Sequence, residues 1–197
     1  MEIKTFPVGS YQTNCYLVWG DGSDRCILID PGYRPEYLLE QVRLHQKTVA
    51  AILLTHGHFD HVGGVRQIAE ETGCKVYICP DELAMPARFT AGTLYYTDTY
   101  TEGDVLTLAG LTLRVLKTPG HTQGSVCLLC ENTLFSGDTL FAGTCGRTDL
   151  PGGDYQTILS SLRRLSQLEG DLQVLPGHGE SSTLNRERQE NPFLRLC

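Results

Sequence analysis

Three of the six histidines lie within six consecutive positions of this 197-residue chain. The segment from position 55 to position 61 reads THGHFDH and directly follows an apolar run that is typical of a buried strand. His56 and His58 are two positions apart, so an extended backbone points both side chains to one side, and Asp60 and His61 follow as the chain turns. Imidazole and carboxylate are common ligands of divalent metals. The residues alone therefore predict that one ion could take His56 and His58, and a second Asp60 and His61.

Two further histidines and one aspartate occupy similar places. His121 lies in the segment PGHT, Asp138 in SGDT and His178 in PGHG, each after a strand-like run. Glycine-containing loops at strand ends are where a rigid scaffold commonly presents functional side chains. Each residue taken alone is typical of a surface turn, but the cluster at 56–61 makes all three candidate metal ligands. The sixth histidine, His45, is at a predicted helix end without a partner motif.

Short apolar runs bounded by Gly, Pro or Asp recur along the chain and predict strands. The predicted strands are Ile3–Phe6, Cys15–Trp19, Cys26–Ile29, Ala50–Leu54, Lys75–Ile78, Val105–Leu108, Leu111–Leu116, Ser125–Leu129, Thr133–Phe135 and Leu172–Leu175. Three apolar faces with helical spacing predict helices. These faces are Leu38, Leu39 and Val42; Val62, Val65, Ile68 and Ala69; and Ile158, Leu159, Leu162 and Leu165. Asp154 is the predicted N-cap of the last helix.

Several neighbouring strands are joined by turns of hairpin length, which argues against a purely parallel sheet. Two β-rich halves, each with helices, meet near residues 90–104. We therefore predict an α/β fold in which two mixed β-sheets pack together, with helices on both outer faces. No linker or low-complexity segment divides the sequence, so we expect one domain over residues 1–197.

Composition limits the partners. The formal net charge is −7 and no basic run occurs, which disfavours nucleic acid. No apolar stretch approaches the roughly 20 residues of a membrane helix, and the first residues lack a leader pattern. We expect a cytoplasmic protein that acts on a small molecule; the sequence does not indicate its oligomeric state.

The eight cysteines do not require disulfides. Six of them lie in or beside strand-like runs, where a thiol packs as a small apolar group. These six are Cys15, Cys26, Cys74, Cys79, Cys127 and Cys130. We expect them to be buried, and none of the eight is needed as a metal ligand.

The ordered set THGHFDH, PGHT, GDT and PGHG resembles the metallo-β-lactamase superfamily. The resemblance spans nearly the whole chain, because Asp30 in the segment LIDPG also resembles the first strand-to-helix turn of that family. It implies a four-layer αββα sandwich with the site along one edge. It also implies two divalent ions, held by seven residues. One ion is assigned His56, His58 and His121, the second Asp60, His61 and His178, and Asp138 bridges them.

Two divalent ions about 3.5–4 Å apart can share a water and lower its pKa, which gives a hydroxide nucleophile for hydrolysis. We expect Asp60, His58 and Asp138 to take part in catalysis, with Asp60 placed to receive the proton of that water. The ligand types suit zinc, with iron or manganese as alternatives.

Within the superfamily the chain is similar to short, type I glyoxalase II-like thioesterases. It shares with them the seven ligands, the segments LFAG and GRTD, and the ending NPFL. We therefore predict hydrolysis of a thioester such as an acyl-glutathione. The alternatives are a mononuclear iron persulfide dioxygenase, which shares the segment CGRTD, a lactonase of the same fold, and a metal-binding protein without turnover. The identities of the seven ligands disfavour an oxygen-reducing flavodiiron role. They also disfavour β-lactam hydrolysis as the main activity. The length of the chain disfavours a nuclease of this superfamily.

One departure concerns the thiol half of the substrate. Longer glyoxalase II proteins add a helical domain after their last metal histidine that contributes to glutathione binding, whereas 19 residues follow His178 here. Arg147 could pair with a substrate carboxylate, or form a structural ion pair with Asp149 or Asp154. Tyr95, Tyr96 and Tyr100, in a long connection, could form a pocket wall or lid, or pack over the sheet edge.

Overall fold

A computed structural model describes residues 1–195, so Cys197 and the end of the predicted domain lie outside the described residues. The first half of the chain forms a six-stranded sheet in the order β1-β2-β3-β4-β5-β6. Its strands are β1 (Glu2–Val8), β2 (Thr13–Trp19), β3 (Arg25–Ile29), β4 (Thr48–Leu53), β5 (Lys75–Ile78) and β6 (Asp98–Thr99). The pairs β1/β2 and β2/β3 are antiparallel, and β3 to β6 are parallel. The sheet is mixed, as predicted.

The second half forms a six-stranded sheet in the order β14-β13-β10-β9-β8-β7. Its strands are β7 (Val105–Leu108), β8 (Leu111–Lys117), β9 (Val126–Cys130), β10 (Thr133–Gly137), β13 (Gln173–Pro176) and β14 (Ser182–Thr183). Strand β10 pairs antiparallel with β9 but parallel with β13. A small hairpin, β11 (Leu140–Phe141) and β12 (Thr144–Cys145), follows β10.

Six α-helices accompany the strands within the described residues: α1 (Pro35–Leu44), α2 (Phe59–Val62), α3 (Val65–Thr72), α4 (Tyr155–Ser166), α5 (Leu184–Glu190) and α6 (Pro192–Arg195). Two 3₁₀ helices, Pro80–Ala84 and Ala87–Phe89, lie between β5 and β6. The predicted cap of α4 is present, because Asp154 Oδ1 accepts a hydrogen bond from the Thr157 N–H at 2.7 Å. His45 is the residue at the end of α1 and its ring lies 5.3 Å from that of Trp19.

Alternation along the strands divides the core into three apolar layers. On β2, Leu17 faces α1 and α3, whereas Val18 faces the other sheet. The third layer lies between the second sheet and α4, which contributes Ile158, Leu162 and Leu165. Helices thus cover both outer faces, and the predicted αββα sandwich is confirmed.

The six cysteines predicted to be buried are buried and free. Burial raises the pKa of the Cys127 thiol to about 11 and that of Cys26 to about 12. Such thiols are poor nucleophiles, which agrees with a packing role. Among residues 1–195, no helix is both long and apolar enough to cross a membrane.

Candidate metal centre

The candidate ligands lie at one edge of the sandwich. Strands β4, β8, β10 and β13 each end just before a ligand segment. In the second sheet β10 and β13 are parallel, and β8 runs the same way because β9 is antiparallel to both β8 and β10. The backbone N–H of Val126 donates to the carbonyl of Thr55 at 2.9 Å, which joins the two sheets at this edge. The fold therefore brings the four segments together.

The first group of candidate ligands consists of His56, His58 and His121, all buried, with ligand atoms within 4.8 Å of one another. Nδ1 of His58 lies 2.9 Å from Nε2 of His121, although the two residues are 63 positions apart. His56 and His58 come from the first sheet and His121 from the second. This is the set that the resemblance assigned to one ion.

The second group consists of Asp60, His61 and His178. Nε2 of His178 lies 3.2 Å from Asp60 Oδ2 and 3.3 Å from Nε2 of His61. Asp60 and His61 lie on the short helix α2, and His178 is on the loop after β13. This is the set assigned to the second ion.

Asp138 lies against both groups. Its Oδ2 is 3.6 Å from Nε2 of His121 and 3.5 Å from Nε2 of His178, and its Oδ1 is 3.4 Å from Nε2 of His61. The structure therefore places this carboxylate between the two groups, where a bridging ligand would stand.

The outer contacts of the rings test whether these residues fit a metal. Nδ1 of His61 faces Asp30 Oδ2 at 2.9 Å, Nδ1 of His121 faces the carbonyl of Arg147 at 2.8 Å, and Nδ1 of His178 faces that of Tyr11 at 3.1 Å. Carbonyl and carboxylate oxygens only accept, so Nδ1 carries the proton of each neutral ring and Nε2 is the nitrogen left to bind a metal. In the second group the Nε2 atoms of His61 and His178 face each other at 3.3 Å, so two neutral rings would oppose their lone pairs. A bound cation resolves this arrangement, so the donor set fits a metal.

Unpartnered atoms support the same conclusion. Within the described residues, the buried atoms Nε2 of His56, Nε2 of His58 and Oδ1 of Asp138 have no hydrogen-bond partner. A buried polar atom without a partner is costly in a native fold unless an ion or water satisfies it. All three belong to the candidate ligands.

Asp30 contacts one of the seven candidate ligands, His61, but is not itself one of the seven. Its Oδ1 accepts from the Thr55 N–H at 2.8 Å, and its Oδ2 accepts from the Thr55 hydroxyl at 2.6 Å as well as from His61. Asp30, His56 and His61 also lie close enough to form a third candidate group. Because both Asp30 oxygens already accept hydrogen bonds, we interpret Asp30 as the residue that orients His61 and the start of the ligand loop.

The first two residues of β2 hold the other side of the centre. The buried hydroxyl of Thr13 donates to Asp60 Oδ2 at 3.0 Å. Asn14 Nδ2 donates to the carbonyls of Pro176 and Gly179, each at 3.0 Å, and so fixes the loop that carries His178. Neither residue was predicted from the sequence as part of the site.

The electrostatics differ between the two groups. Burial is the main cause that lowers the pKa of His56 and lowers that of His58 to about 4, with neighbouring rings adding to it. Burial also disfavours charge on His178, but the carboxylates of Asp138 and Asp60 outweigh it and raise the pKa of that ring to about 10. In His61 burial is likewise outweighed by Asp138 and Asp30, and the pKa rises to about 8. Burial opposes the charge of Asp60, but hydrogen bonds and nearby histidines lower its pKa.

Aromatic rings border the second group. Tyr11 is 60% exposed, and its ring lies 5.4 Å from that of Phe59. Phe59 is the residue between the ligands His58 and Asp60. The ring of Phe141, on the hairpin after Asp138, lies 6.3 Å from that of His178. These three rings, from Tyr11, Phe59 and Phe141, are here called the aromatic rim.

The predicted substrate residues lie in different settings. The Arg147 guanidinium makes two hydrogen bonds of 2.7 Å to the Asp149 carboxylate, both side chains being exposed, which is the structural ion pair named as an alternative. The guanidinium of Arg66 lies 4.9 Å above the Tyr95 ring, and Tyr96 lines a cavity of about 340 Å³ with Leu83, Leu94 and neighbouring residues. A substrate role for these three residues stays a prediction.

The comparisons agree with this fold. The chain belongs to the metallo-β-lactamase superfamily, whose model matches residues 8–178. It is 35% identical to the hydroxyacylglutathione hydrolase GloC of Haemophilus influenzae, over 98% of each chain. The solved B3 metallo-β-lactamase BLEG-1 is 35% identical, with a TM-score of 0.91 and coverage of 98% of this chain and 99% of that one. TTHA1623, solved in a di-iron-bound form, is 39% identical, with a TM-score of 0.84 and coverage of 97% and 100%.

Proposed function

We propose that this protein is a metal-dependent thioester hydrolase that acts on an acyl-glutathione or a related thioester. The observation that carries the proposal is the placement of Asp138 within 3.6 Å of ring nitrogens from both ligand groups. A carboxylate between two three-residue groups is typical of a two-metal hydrolytic site. We expect the protein to work in the cytoplasm, where its buried thiols stay reduced.

The first group would hold one divalent ion, the second group would hold the other, and Asp138 would contact both. When bound, such a pair of ions lowers the pKa of water and polarises a carbonyl, and zinc, iron and manganese all suit these ligands. The chain itself supplies orientation. His58 and His121 face each other across the first group, while Asp60 has one oxygen held by Thr13 and His178 and can hold a proton at the other.

Two observations support a thioester of this class. GloC, which is named a hydroxyacylglutathione hydrolase, is matched over 98% of its own length. The aromatic rim gives the acyl part of a substrate an apolar surface beside the second group. Recognition of the glutathione part would then fall to residues beyond the rim, among which Arg147, Tyr95 and Tyr96 are the predicted ones.

Hydrolysis of a β-lactam is a second candidate, favoured by the similarity to BLEG-1. The sequence disfavoured this activity because zinc β-lactamases commonly carry Cys where Asp138 stands. The BLEG-1 match shows a chain named as a B3 enzyme with the same overall fold, so the activity has to be measured.

The test is metal analysis of protein purified without added metal, followed by assays of three substrates. We expect two ions per chain, release of free thiol from an acyl-glutathione, and slower turnover of a chromogenic cephalosporin. Faster cephalosporin turnover would favour the lactamase. One iron per chain with oxygen consumption on glutathione persulfide would overturn the proposal in favour of a dioxygenase.

A further inference from the structure

Glu82 is a buried carboxylate that the proposed function does not use. It lies on the 3₁₀ helix Pro80–Ala84 and is 1% exposed. Within residues 1–195 its hydrogen-bond partners are all uncharged: the Gly57 N–H donates to Oε2 at 2.6 Å, and the Thr122 hydroxyl and the Gly124 N–H donate to Oε1 at 2.6 and 2.7 Å. A buried carboxylate without a cation is costly unless such donors satisfy it. An acidic residue at this position therefore needs a reason.

The positions of the three donors give that reason. Gly57 separates His56 from His58 on the loop from the first sheet, and Thr122 follows His121 on the loop from the second sheet. These three histidines are the first group of candidate ligands. One carboxylate thus connects the two loops whose spacing determines whether that group can form.

Glycine allows this close approach on both loops. A Cβ atom on Gly57 would lie 3.0 Å from Glu82 Oε2, and one on Gly124 would lie 2.7 Å from Oε1 and 2.8 Å from the Glu82 backbone nitrogen. Larger residues at either position would push the loops away from the carboxylate. Both loops are therefore packed directly onto Glu82.

The chemistry of the contact requires a carboxylate. Two of the donors are backbone N–H groups, which cannot accept, so both oxygens of residue 82 must act as acceptors. A glutamine of the same shape turns an NH₂ group towards one of the loops and places two donors face to face. The loop so affected would move away from residue 82.

We propose that Glu82 is a positioning residue that sets the spacing of the first ligand group, including the 2.9 Å approach of His58 Nδ1 to His121 Nε2. The inference rests on the metal centre of the proposed function and is independent of which substrate is hydrolysed. It assigns a role in metal affinity to a residue that touches no ligand side chain through a hydrogen bond.

Glu187 offers a matched control. It is also 1% exposed, and it accepts hydrogen bonds from the Gly143 N–H at 2.8 Å, from Asn191 Nδ2 at 2.8 Å and from the Ser182 hydroxyl. Its donors lie on the β11–β12 hairpin, on β14 and at the end of α5, and none is next to a candidate ligand. Glu187→Gln removes the charge of a buried carboxylate with three donors, away from the first group.

The experiment is a titration of metal-free protein with Zn²⁺, using wild type, Glu82→Gln and Glu187→Gln, with thermal unfolding of each metal-free variant. Loss of an outer hydrogen bond commonly weakens metal binding 10–100-fold. We expect Glu82→Gln to weaken one of two binding steps by about this factor while Glu187→Gln leaves both unchanged. In a His178→Ala background, which disables the second group, the remaining step should be the weakened one.

Other outcomes are decisive as well. If Glu82→Gln leaves Zn²⁺ affinity unchanged in both steps, whatever its thermal stability, Glu82 is structural only and the inference is wrong, while the proposed function stands. If wild type binds no ion, the metal centre and the proposed function fail together with the inference. Should Glu82→Gln not fold, Thr122→Val removes one of the same hydrogen bonds from the other side, and unchanged first-group affinity in that variant would overturn the inference.

Discussion

Gly177 stands directly against the carboxylate of Asp138: a Cβ atom at position 177 would lie 2.2 Å from Asp138 Oδ1 and 2.7 Å from Cε1 of His61. No side chain fits between this loop and the carboxylate that lies between the two ligand groups. The loop after β13 therefore presents His178 and, through Gly177, also leaves Asp138 the room to reach both groups.

The first prediction concerns this contact. Gly177→Ala should displace the Asp138 carboxylate, reduce the bound metal from two ions to one, and lower kcat about 100-fold, since small misplacements of site groups have effects of that order. Metal analysis and steady-state kinetics measure both. The control is Gly170→Ala, in the turn between α4 and β13, where φ is +78° and a Cβ meets open space. That variant should cost about 1 kcal/mol of stability through backbone strain and keep both ions. Full metal content in Gly177→Ala would contradict the prediction.

A second prediction concerns Thr13, whose buried hydroxyl donates to Asp60 Oδ2 at 3.0 Å. Thr13→Val keeps the shape but removes the donor, and it should weaken metal binding in the second group about 10–100-fold. Calorimetric titration of metal-free protein measures this change. Thr13→Ser, which restores a hydroxyl, should recover most of the affinity. Equal affinities for the valine and serine variants would show that the hydrogen bond is unimportant.

The third prediction links metal binding to pH. In the metal-free protein the raised pKa values of His178, about 10, and His61, about 8, mean that both rings carry an extra proton at pH 7, whereas the lowered pKa of His58, about 4, leaves that ring neutral. Filling the second group must therefore release protons, and filling the first should not. As pH falls below 8, affinity in the second group should fall about tenfold per pH unit for each competing proton.

Calorimetry at pH 7 in buffers of different ionisation enthalpy counts the protons released in each step. Acidification from pH 7 to pH 5.5 should remove the second ion before the first, and metal content after dialysis measures this order. Equal proton release in both steps would show that the surrounding carboxylates do not hold the rings protonated as described.

The fourth prediction separates the two interpretations of Arg147. If Arg147 binds a substrate carboxylate, Arg147→Ala should raise KM for an acyl-glutathione several-fold. Asp149→Ala, which frees the guanidinium, should leave KM unchanged or lower it. Neither variant should change the melting temperature measurably, since exposed ion pairs contribute little to stability. If KM stays at the wild-type value in both variants, only the surface ion pair remains.

The candidate ligands could be predicted from the sequence because their signals are local. His56, His58, Asp60 and His61 share one short segment, and His121 and His178 each follow a glycine after a strand. The strand predictions depended on equally local apolar runs and differ from the structure mainly by one or two residues at their ends. For example, Ala50–Leu54 was predicted where β4 is Thr48–Leu53.

Other features depend on tertiary contacts, so the sequence did not reveal them. Glu82 is an ordinary acidic residue in the segment PDELAMP, and only folding brings it to Gly57 and Gly124. Helix α5 was not predicted because its buried residues are only Leu184 and Glu187, too few to give a helical apolar pattern. Tyr100, considered with Tyr95 and Tyr96 as a pocket wall, lies in the core, where its hydroxyl donates to the Leu54 carbonyl at 2.5 Å.

The ligands come from both sheets, and this makes the stability of the folded protein depend on bound metal. His61 and His178 are 117 positions apart in sequence, yet their Nε2 atoms are 3.3 Å apart. An ion at this position would bind the folded chain and not the unfolded one. At a free concentration of 100 times Kd, it would add about 2.7 kcal/mol to the free energy of unfolding. The melting temperature would therefore rise with the concentration of free metal. A shortage of that metal would reduce both the amount of folded protein and its catalytic activity.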